Sequence, residues 1–455
     1  MATDNSQLIN NVQSVPSDLM YNTKNSSVRC RQMRSNFPAS NGAIFSPGQV
    51  AVVYVSSRSN CYLIGTESYL KFTIRNCTSA TSLYTDGGGY SVINKIDVFM
   101  GSALLESISG ANVLYSALID ACYDPASRAG YSGVWGGSST VSAPRLGAAI
   151  TSTSSAVGQL TVCIPLITSI LGQNLDKYLS LDNADDFKLE ITFESEGTGM
   201  VGASSSAPTL LSGYSTAWQV VNPEYVATIV EIDQVGQQII HSISPPNEER
   251  IIHGTSYRGY VSTVPASSSG MYSTLIPARF CSLNSIITCP RATANVSAID
   301  KYSISARQNL FNNVVYRIGG SNAPSRPIVN YSTTSGGFSE QLAETLKAFG
   351  PFSSPVASSC LTKTVFNTAI EAAAQNGGVR AGTGADSDAF LMAIDLNSFS
   401  NKSDILLSGL NTLSTNVFLD AEITSVATFN SQVLNFYAQH DILFVVRDGL
   451  YTCRF

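Results

Sequence analysis

The chain of 455 residues reads as an all-β protein made of two tandem sandwiches, with short helices inserted in loops. Three observations predict this. Several segments alternate apolar and polar side chains with a period of two. Each half passes through the same succession of elements. A proline pair that no central strand could hold separates the halves.

Taken in order, residues 1–43 are polar and irregular and read as an N-terminal arm, with Arg29, Arg31 and Arg34 as a small basic cluster. The segment reads either as a solvated tail or as an arm contacting something anionic, such as lipid headgroups, an acidic partner or a genome. From Leu70 to Arg75 every second side chain is apolar. From Phe187 to Glu194 the alternation is complete: Phe187, Leu189, Ile191 and Phe193 face a core, and Lys188, Glu190, Thr192 and Glu194 face outward. Val417, Leu419, Ala421 and Ile423 repeat the pattern. Near the end, Ile442 to Val446 and Leu450 to Phe455 flank Arg447-Asp448-Gly449. Asp-Gly tolerates the positive φ of a tight turn, which predicts a β-hairpin. Helices are expected at 112–122, at 364–375 and at 339–349. In the last, Leu342, Leu346 and Phe349 fall on one face, Ser339 can act as N-cap and Gly350 lies just past the end.

The repetition is one of layout. In the first half a strand at 93–99, a helix at 112–122, a small-residue loop at 131–155 and the strand 187–193 follow one another. In the second half the matching segments are 314–318, 339–349, 377–388 and 417–423. The break falls at Ser244-Pro245-Pro246-Asn247, which gives an arm at 1–43, a first sandwich at 44–243 and a second at 244–455. The Ser/Gly-rich loops at 131–155, 201–216 and 377–388 are expected to be exposed tips.

Composition narrows the function. Charged residues make up 13%, against about 25% in an ordinary globular protein. With 44% hydrophobic residues the chain is neither disordered nor a coiled coil. A net charge of −6 argues against sequence-specific nucleic-acid binding. No apolar run is long enough to span a membrane as a helix. The opening residues lack a secretory signal, so synthesis in the cytosol is expected, with the nine scattered cysteines as mainly buried free thiols.

Motifs for catalysis are missing. Asp86-Gly87-Gly88-Gly89 is Gly-rich but lacks the spacing of a phosphate loop. Gly254 to Gly259 has one residue too many for a nucleophile elbow. His241, His253 and His440 stand apart from any Ser or Cys motif. The carboxylate pairs Asp185-Asp186 and Glu248-Glu249 lie at predicted turns, which does not suit the raised pKa a glycosidase acid needs. Asp386 and Asp388 lack the further oxygen ligands of a calcium loop. Sequons at Asn25, Asn76, Asn295, Asn330 and Asn401 matter only in a secreted chain, and Trp135 and Trp218 lie too far apart in sequence to suggest an aromatic platform. No catalytic residue, metal or cofactor is expected.

Several segments resemble the major capsid proteins of double jelly-roll viruses, the group that includes polinton-like viruses, virophages and nucleocytoplasmic large DNA viruses. Asn60 to Leu63 with Ser68 to Phe72 resembles their first-domain strand pair. Ile164-Pro165-Leu166 through Ile170-Leu171-Gly172, followed by Phe187 to Glu194, resembles a strand–short helix–strand module. Tyr316 to Gly320 followed by Pro324 to Ile328 resembles a second-domain signature, and Leu443 to Phe455 the closing hairpin. The resemblance implies two eight-stranded jelly rolls per chain. It implies pseudo-hexameric homotrimers that tile an icosahedral shell of a double-stranded DNA virus. The partners it implies are neighbouring trimers, penton and minor capsid proteins, and an internal membrane reached through the arm. On this reading the protein resides in the virion after synthesis in the host cytoplasm. Pro324 to Pro327 would be a rigid strand connector, and Arg29, Arg31 and Arg34 would contact the inner side. A secreted two-domain adhesin or carbohydrate-binding protein is the alternative, and a glycoside hydrolase a more distant one.

Overall fold

A computed structural model describes residues 28–79, 81–139, 146–182, 184–202, 208–243, 245, 248–266, 270–292, 302–307, 311–329, 339–350, 360–361, 390–398, 407–423, 431–447 and 449–455. Through residue 243 the strands are β1 (Cys30–Pro38), β2 (Ile44–Phe45), β3 (Val50–Val55), β4 (Cys61–Asn76), β5 (Ser82–Asp86), β6 (Ile93–Met100), β7 (Ala103–Ser109), β8 (Leu146–Thr151), β9 (Gly158–Pro165), β10 (Leu179–Ser180), β11 (Phe187–Phe193), β12 (Met200–Val201) and β13 (Trp218–Ile232). Beyond it come β14 (Arg250–Val264), β15 (Gly270–Ile276), β16 (Leu283–Ala292), β17 (Phe311–Ile318), β18 (Ser321–Val329), β19 (Met392–Asp395), β20 (Val417–Ile423), β21 (Gln432–Arg447) and β22 (Leu450–Arg454).

The two halves are wound identically. In the first, one sheet runs β1-β13-β4-β9 and the facing sheet β3-β11-β6-β7. In the second, the sheets run β14-β21-β16-β19 and β15-β20-β17-β18. Numbered within its own half, each set of eight strands pairs as 1-8-3-6 facing 2-7-4-5. That winding is the jelly roll, in which the closing strand returns beside the first. Strands β5, β8 and β12 form a small additional sheet, and β22 extends the second sandwich beside β21.

The alternating segments behave as their patterns require. Phe187, Leu189, Ile191 and Phe193 of β11 are buried, as are Val417, Leu419, Ala421 and Ile423 of β20, each on the inner face of its sandwich. In β4, Leu70, Phe72 and Ile74 fill the same core. The closing hairpin pairs Arg447 with Leu450, and Gly449 takes φ 78°. Helices Ala111–Cys122 and Ser339–Phe349 occupy the same place in both halves, after the fifth strand.

Several expectations change. From Cys30 the expected arm is ordered strand, because β1 pairs with β13 from Cys30↔Ile232 to Pro38↔Glu224. Its side chains alternate only weakly, which hid the strand. The expected pair at 60–72 is one long strand, β4, with a register shift in its pairing to β13 between Val226 and Thr228. Between Leu166 and Gly172 the chain turns without forming a helix; Leu171 takes φ 62°, which no right-handed helix admits. Pro324 and Pro327 lie within edge strand β18 rather than in a connector. Pairing skips there, from Val314↔Ile328 to Tyr316↔Ala323, so the prolines sit where no ladder amide is needed. The loop 131–155 is not an exposed tip throughout. It contains the end of helix Pro125–Trp135 and all of β8, and Gly136 and Gly137 are buried. Met200 and Val201 at the start of the second loop are also buried. The expected helix at 364–375 and the loop 377–388 lie outside the described residues.

Candidate functional site

Elements from both halves meet along a seam, and polar side chains hold it. Asp86, at the end of β5, is buried and accepts hydrogen bonds from the backbone amides of Ser303, Ile304 and Ser305 and from the Ser305 hydroxyl. Burial pushes its carboxyl above the ordinary range, against the pull of those bonds. Asp120 of helix Ala111–Cys122 bridges two buried guanidiniums. Arg128 reaches it at 2.6 Å, and Arg307 from the second half closes on its other oxygen. Arg307 also donates to the Ser116 hydroxyl at 2.8 Å and to the Phe390 carbonyl at 3.1 Å.

A third link joins strands. Glu106 of β7 accepts from the amides of Ser169 and Ile170 and from the Ser256 hydroxyl of β14 at 2.5 Å. Burial raises its carboxyl to about 7. Next to it, the Ser109 hydroxyl donates to the Gly259 carbonyl at 3.2 Å, and a Cβ on Gly259 would stand 2.3 Å from the Ser109 carbonyl oxygen. Glycine is therefore what lets β14 lie against β7. The loop after β9 adds to β14 as well: Thr255 donates its amide to the Asn174 carbonyl, Asp176 donates to the His253 carbonyl, and Leu175 bridges Gly254.

Apolar packing runs through the seam. The first core continues into the second half through Ile252, Tyr257, Tyr437, Phe444 and Tyr451. A cavity of about 170 Å³ opens beside it, lined by Glu106, Arg258, Arg279, Phe280, His440 and Phe455 among others. His440 stacks on Phe280 at 3.9 Å, and burial lowers its imidazole to about 4. Its Nδ1 sits 3.3 Å from the Ala438 carbonyl.

The other candidates from the sequence are dispersed. Arg29 and Arg31 are exposed, and Arg34 lies over the Tyr69 ring at 5.7 Å on the outer face of the sheet. His241 approaches Asp182 at 3.6 Å, and His253 approaches Asp441 at 3.3 Å. Asp185, Asp186, Glu248 and Glu249 are exposed. Trp218 is fully buried in the core, and Trp135 packs edge-on against Tyr123. Asn76 is buried, with its amide bonded to the carbonyls of Thr81 and Ile150, which leaves no room for a glycan. Asn25, Asn295, Asn330, Asn401, Asp386 and Asp388 lie outside the described residues. All nine cysteines are free; Cys61, Cys77 and Cys289 are buried, while Cys30 and Cys122 are exposed. Among the described residues no three His, Cys, Asp or Glu side chains are grouped to hold a metal.

The seam carboxylates and Arg307 were missed from sequence, although they left a trace. In a chain this poor in charge, Glu106 in Leu104-Leu105-Glu106-Ser107-Ile108 and Asp120 in Leu118-Ile119-Asp120-Ala121 interrupt apolar runs. A charge kept in such a run needs a dedicated partner.

No family model matches the chain, and no curated protein matches it in sequence. Solved structures do match. The capsid of PBCV-1 virus aligns over 96% of this chain and 99% of its own, with a TM-score of 0.60 and 11% identity. The Faustovirus major capsid protein aligns over 96% and 94%, with a TM-score of 0.60 and 9% identity. The mavirus major capsid protein aligns over 97% and 95%, with a TM-score of 0.52 and 10% identity. Over almost its whole length, therefore, the chain has the double jelly-roll architecture found in these virus capsid proteins.

Proposed function

We propose that the chain is a major capsid subunit that forms pseudo-hexameric homotrimers tiling an icosahedral double-stranded DNA virus shell. The carrying observation is the identical 1-8-3-6 and 2-7-4-5 winding of both halves. A duplicated brick supplies a near-sixfold outline with three chains, and closed symmetry keeps the trimer finite. Likeness in fold to virus capsid proteins over 90% and more of both chains supports the same reading. Sparse charge suits it too, since broad contacts between copies then bury few ions. The role is structural, without catalysis or cofactor, and its place is the virion.

The proposal extends to the arm, with penton and minor capsid proteins and an internal membrane as inner-side partners. Val28 and Arg29 enter β1 beside helix Gln234–Ile243: Asp233 donates its amide to the Arg29 carbonyl, and the Val28 side chain approaches Gly236. That helix exposes Val235, Ile239 and Ile243 along one stripe. Arg29, Arg31 and Arg34 with this stripe make an amphipathic end that suits the inner face.

Light scattering of the purified chain tests the main reading. A species of three chain masses is expected, and removal of residues 1–27 should leave it intact while lowering particle yield. A monomer with glycan affinity would replace the capsid reading with the adhesin.

A further inference from the structure

We infer that Cys122 and Cys360 form a redox staple, a pair of free thiols that closes into a disulfide across the seam when the chain meets a low-molecular-weight disulfide. Cys122 ends helix Ala111–Cys122 in the first half. Cys360 lies in chain order between β18 and β19, strands of the second half. The last carbonyls of a helix have no partner within it. Here one of them, on Ala121, accepts the Cys360 amide at 2.7 Å. Leu361, the next residue, is buried in the first core.

Peptide dimensions then limit the separation. The Ala121 carbonyl is tied through one peptide unit to the Cys122 Cα, and the Cys360 amide to its own Cα. The two Cα atoms are therefore no farther apart than about 7 Å. That is the limit beyond which a disulfide cannot form without moving the backbone. A second observation places the sulfurs. Besides burial, which is the larger cause, negative charge on Cys360 raises the Cys122 thiol, so the two side chains lie near one another. Burial and then charge on Cys122 raise Tyr257 of β14 in turn, which sets this helix end at the seam.

Neither thiol is a sensitised nucleophile. Burial raises both, and at Cys360 Asp124 adds to it while Arg128 partly offsets it. A soluble disulfide still reaches the pair, because Cys122 is exposed and Cys360 half-buried. Exchange with oxidised glutathione balances in two steps. The Cys122 thiolate, its proton given to solvent, attacks one glutathione sulfur, forms a mixed disulfide and expels a glutathione thiolate. The Cys360 thiolate then attacks the Cys122 sulfur and expels the second. The chain loses two hydrogens, and the glutathione disulfide is reduced to two thiols. The bond would close a loop of about 240 residues, and cross-links over long loops restrict the unfolded chain most. A reducing cytosol keeps such a pair open and an oxidising exterior closes it. In a virus shell the staple would set after the particle leaves the cell; that timing alone rests on the capsid reading.

The test uses the full-length chain. It is incubated with oxidised glutathione, its remaining thiols are alkylated, and its peptides are mapped by mass spectrometry without reduction. The expected product is a peptide pair joined through Cys122 and Cys360, lighter by two hydrogens than its reduced parts. The thermal midpoint should rise by several degrees and return on adding dithiothreitol. Cys122→Ala and Cys360→Ala should each remove both the joined pair and the oxidant-dependent rise, whatever their midpoint when reduced. Glutathione left on both cysteines, bonds from either to other cysteines, or a two-chain band on a non-reducing gel would overturn the staple. So would a Cys122–Cys360 bond that leaves the midpoint where it was, since it would then hold nothing that the seam does not. A wild-type chain that scatters light as a monomer would overturn the capsid reading, and with it the timing, without touching the joined pair.

Discussion

Glu106 keeps a carboxyl in the seam where burial raises it from 4.5 to about 7. An unfolded chain releases that proton first. Between about pH 4.5 and 7 the folded state therefore holds more protons, and stability falls as pH rises, reaching its lower level above 7. His440, on the same cavity, has the opposite sign. Its imidazole is lowered from 6.5 to about 4, so its contribution is whole well above pH 6.5 and is lost as pH falls toward 4. Arg258 and Arg279 line this cavity as well. From pH 6.5 to 8 the glutamate loses of the order of 1 kcal/mol and the second half of the histidine titration returns roughly half of that, so the chain should show a small net loss. Glu106→Gln keeps an acceptor for the Ser169 and Ile170 amides and should abolish that loss; thermal midpoints at both pH values measure it. Asp120 makes a second residue-scale case. Asp120→Ala strands Arg307 and Arg128 in the interior, and removing one partner of a buried pair costs about 3–5 kcal/mol. Urea unfolding that shows less than 1 kcal/mol of loss would contradict the bridging role.

Among elements, those with a strong local period were legible and those set by tertiary context were not. β11 and β20 could be read residue by residue, because a half-buried strand must alternate. β1 could not, since its outer face and its edge both meet solvent and demand no pattern. Helix Pro125–Trp135 did leave a signal: Asp124 caps it by accepting from the Ser127 amide, and Pro125 opens it. Its small-residue composition passed for a loop. The approach of β14 to β7 was not legible either, because it depends on one missing side chain. Gly259→Val would place a Cβ against the Ser109 carbonyl and must push the strands apart. Overpacking of this kind costs about 1–3 kcal/mol. The expected result is a lower denaturant midpoint and, because the seam loosens, new thiol reactivity at buried Cys289; an unchanged midpoint would show that the strands part freely.

For the molecule as a whole, the two halves are separate in their strands but not in their stability. All strands through β13 join sheets of the first half, and all from β14 onward join sheets of the second. The change of half falls between Ile232 and Arg250. Energetically the division is incomplete. The first core includes Ile252, Tyr257, Tyr437, Phe444 and Tyr451 from beyond the boundary. Cutting there would expose these side chains, at roughly 1.5–3 kcal/mol for each large apolar group. It would also deprive Asp86 of all its donors and Arg307 of its counter-charge. Each of those losses removes partners from a buried charged or polar group, which costs more than the bonds themselves contributed. The halves should therefore unfold as one unit, whatever the sheets suggest. A calorimetric scan of the intact chain should show a single transition. Residues 1–243 and 244–455 expressed apart should each yield aggregated protein, and co-expression should rescue both. A second half that is monomeric, dispersed and cooperatively folded on its own would mean that the seam joins two finished sandwiches rather than completing them.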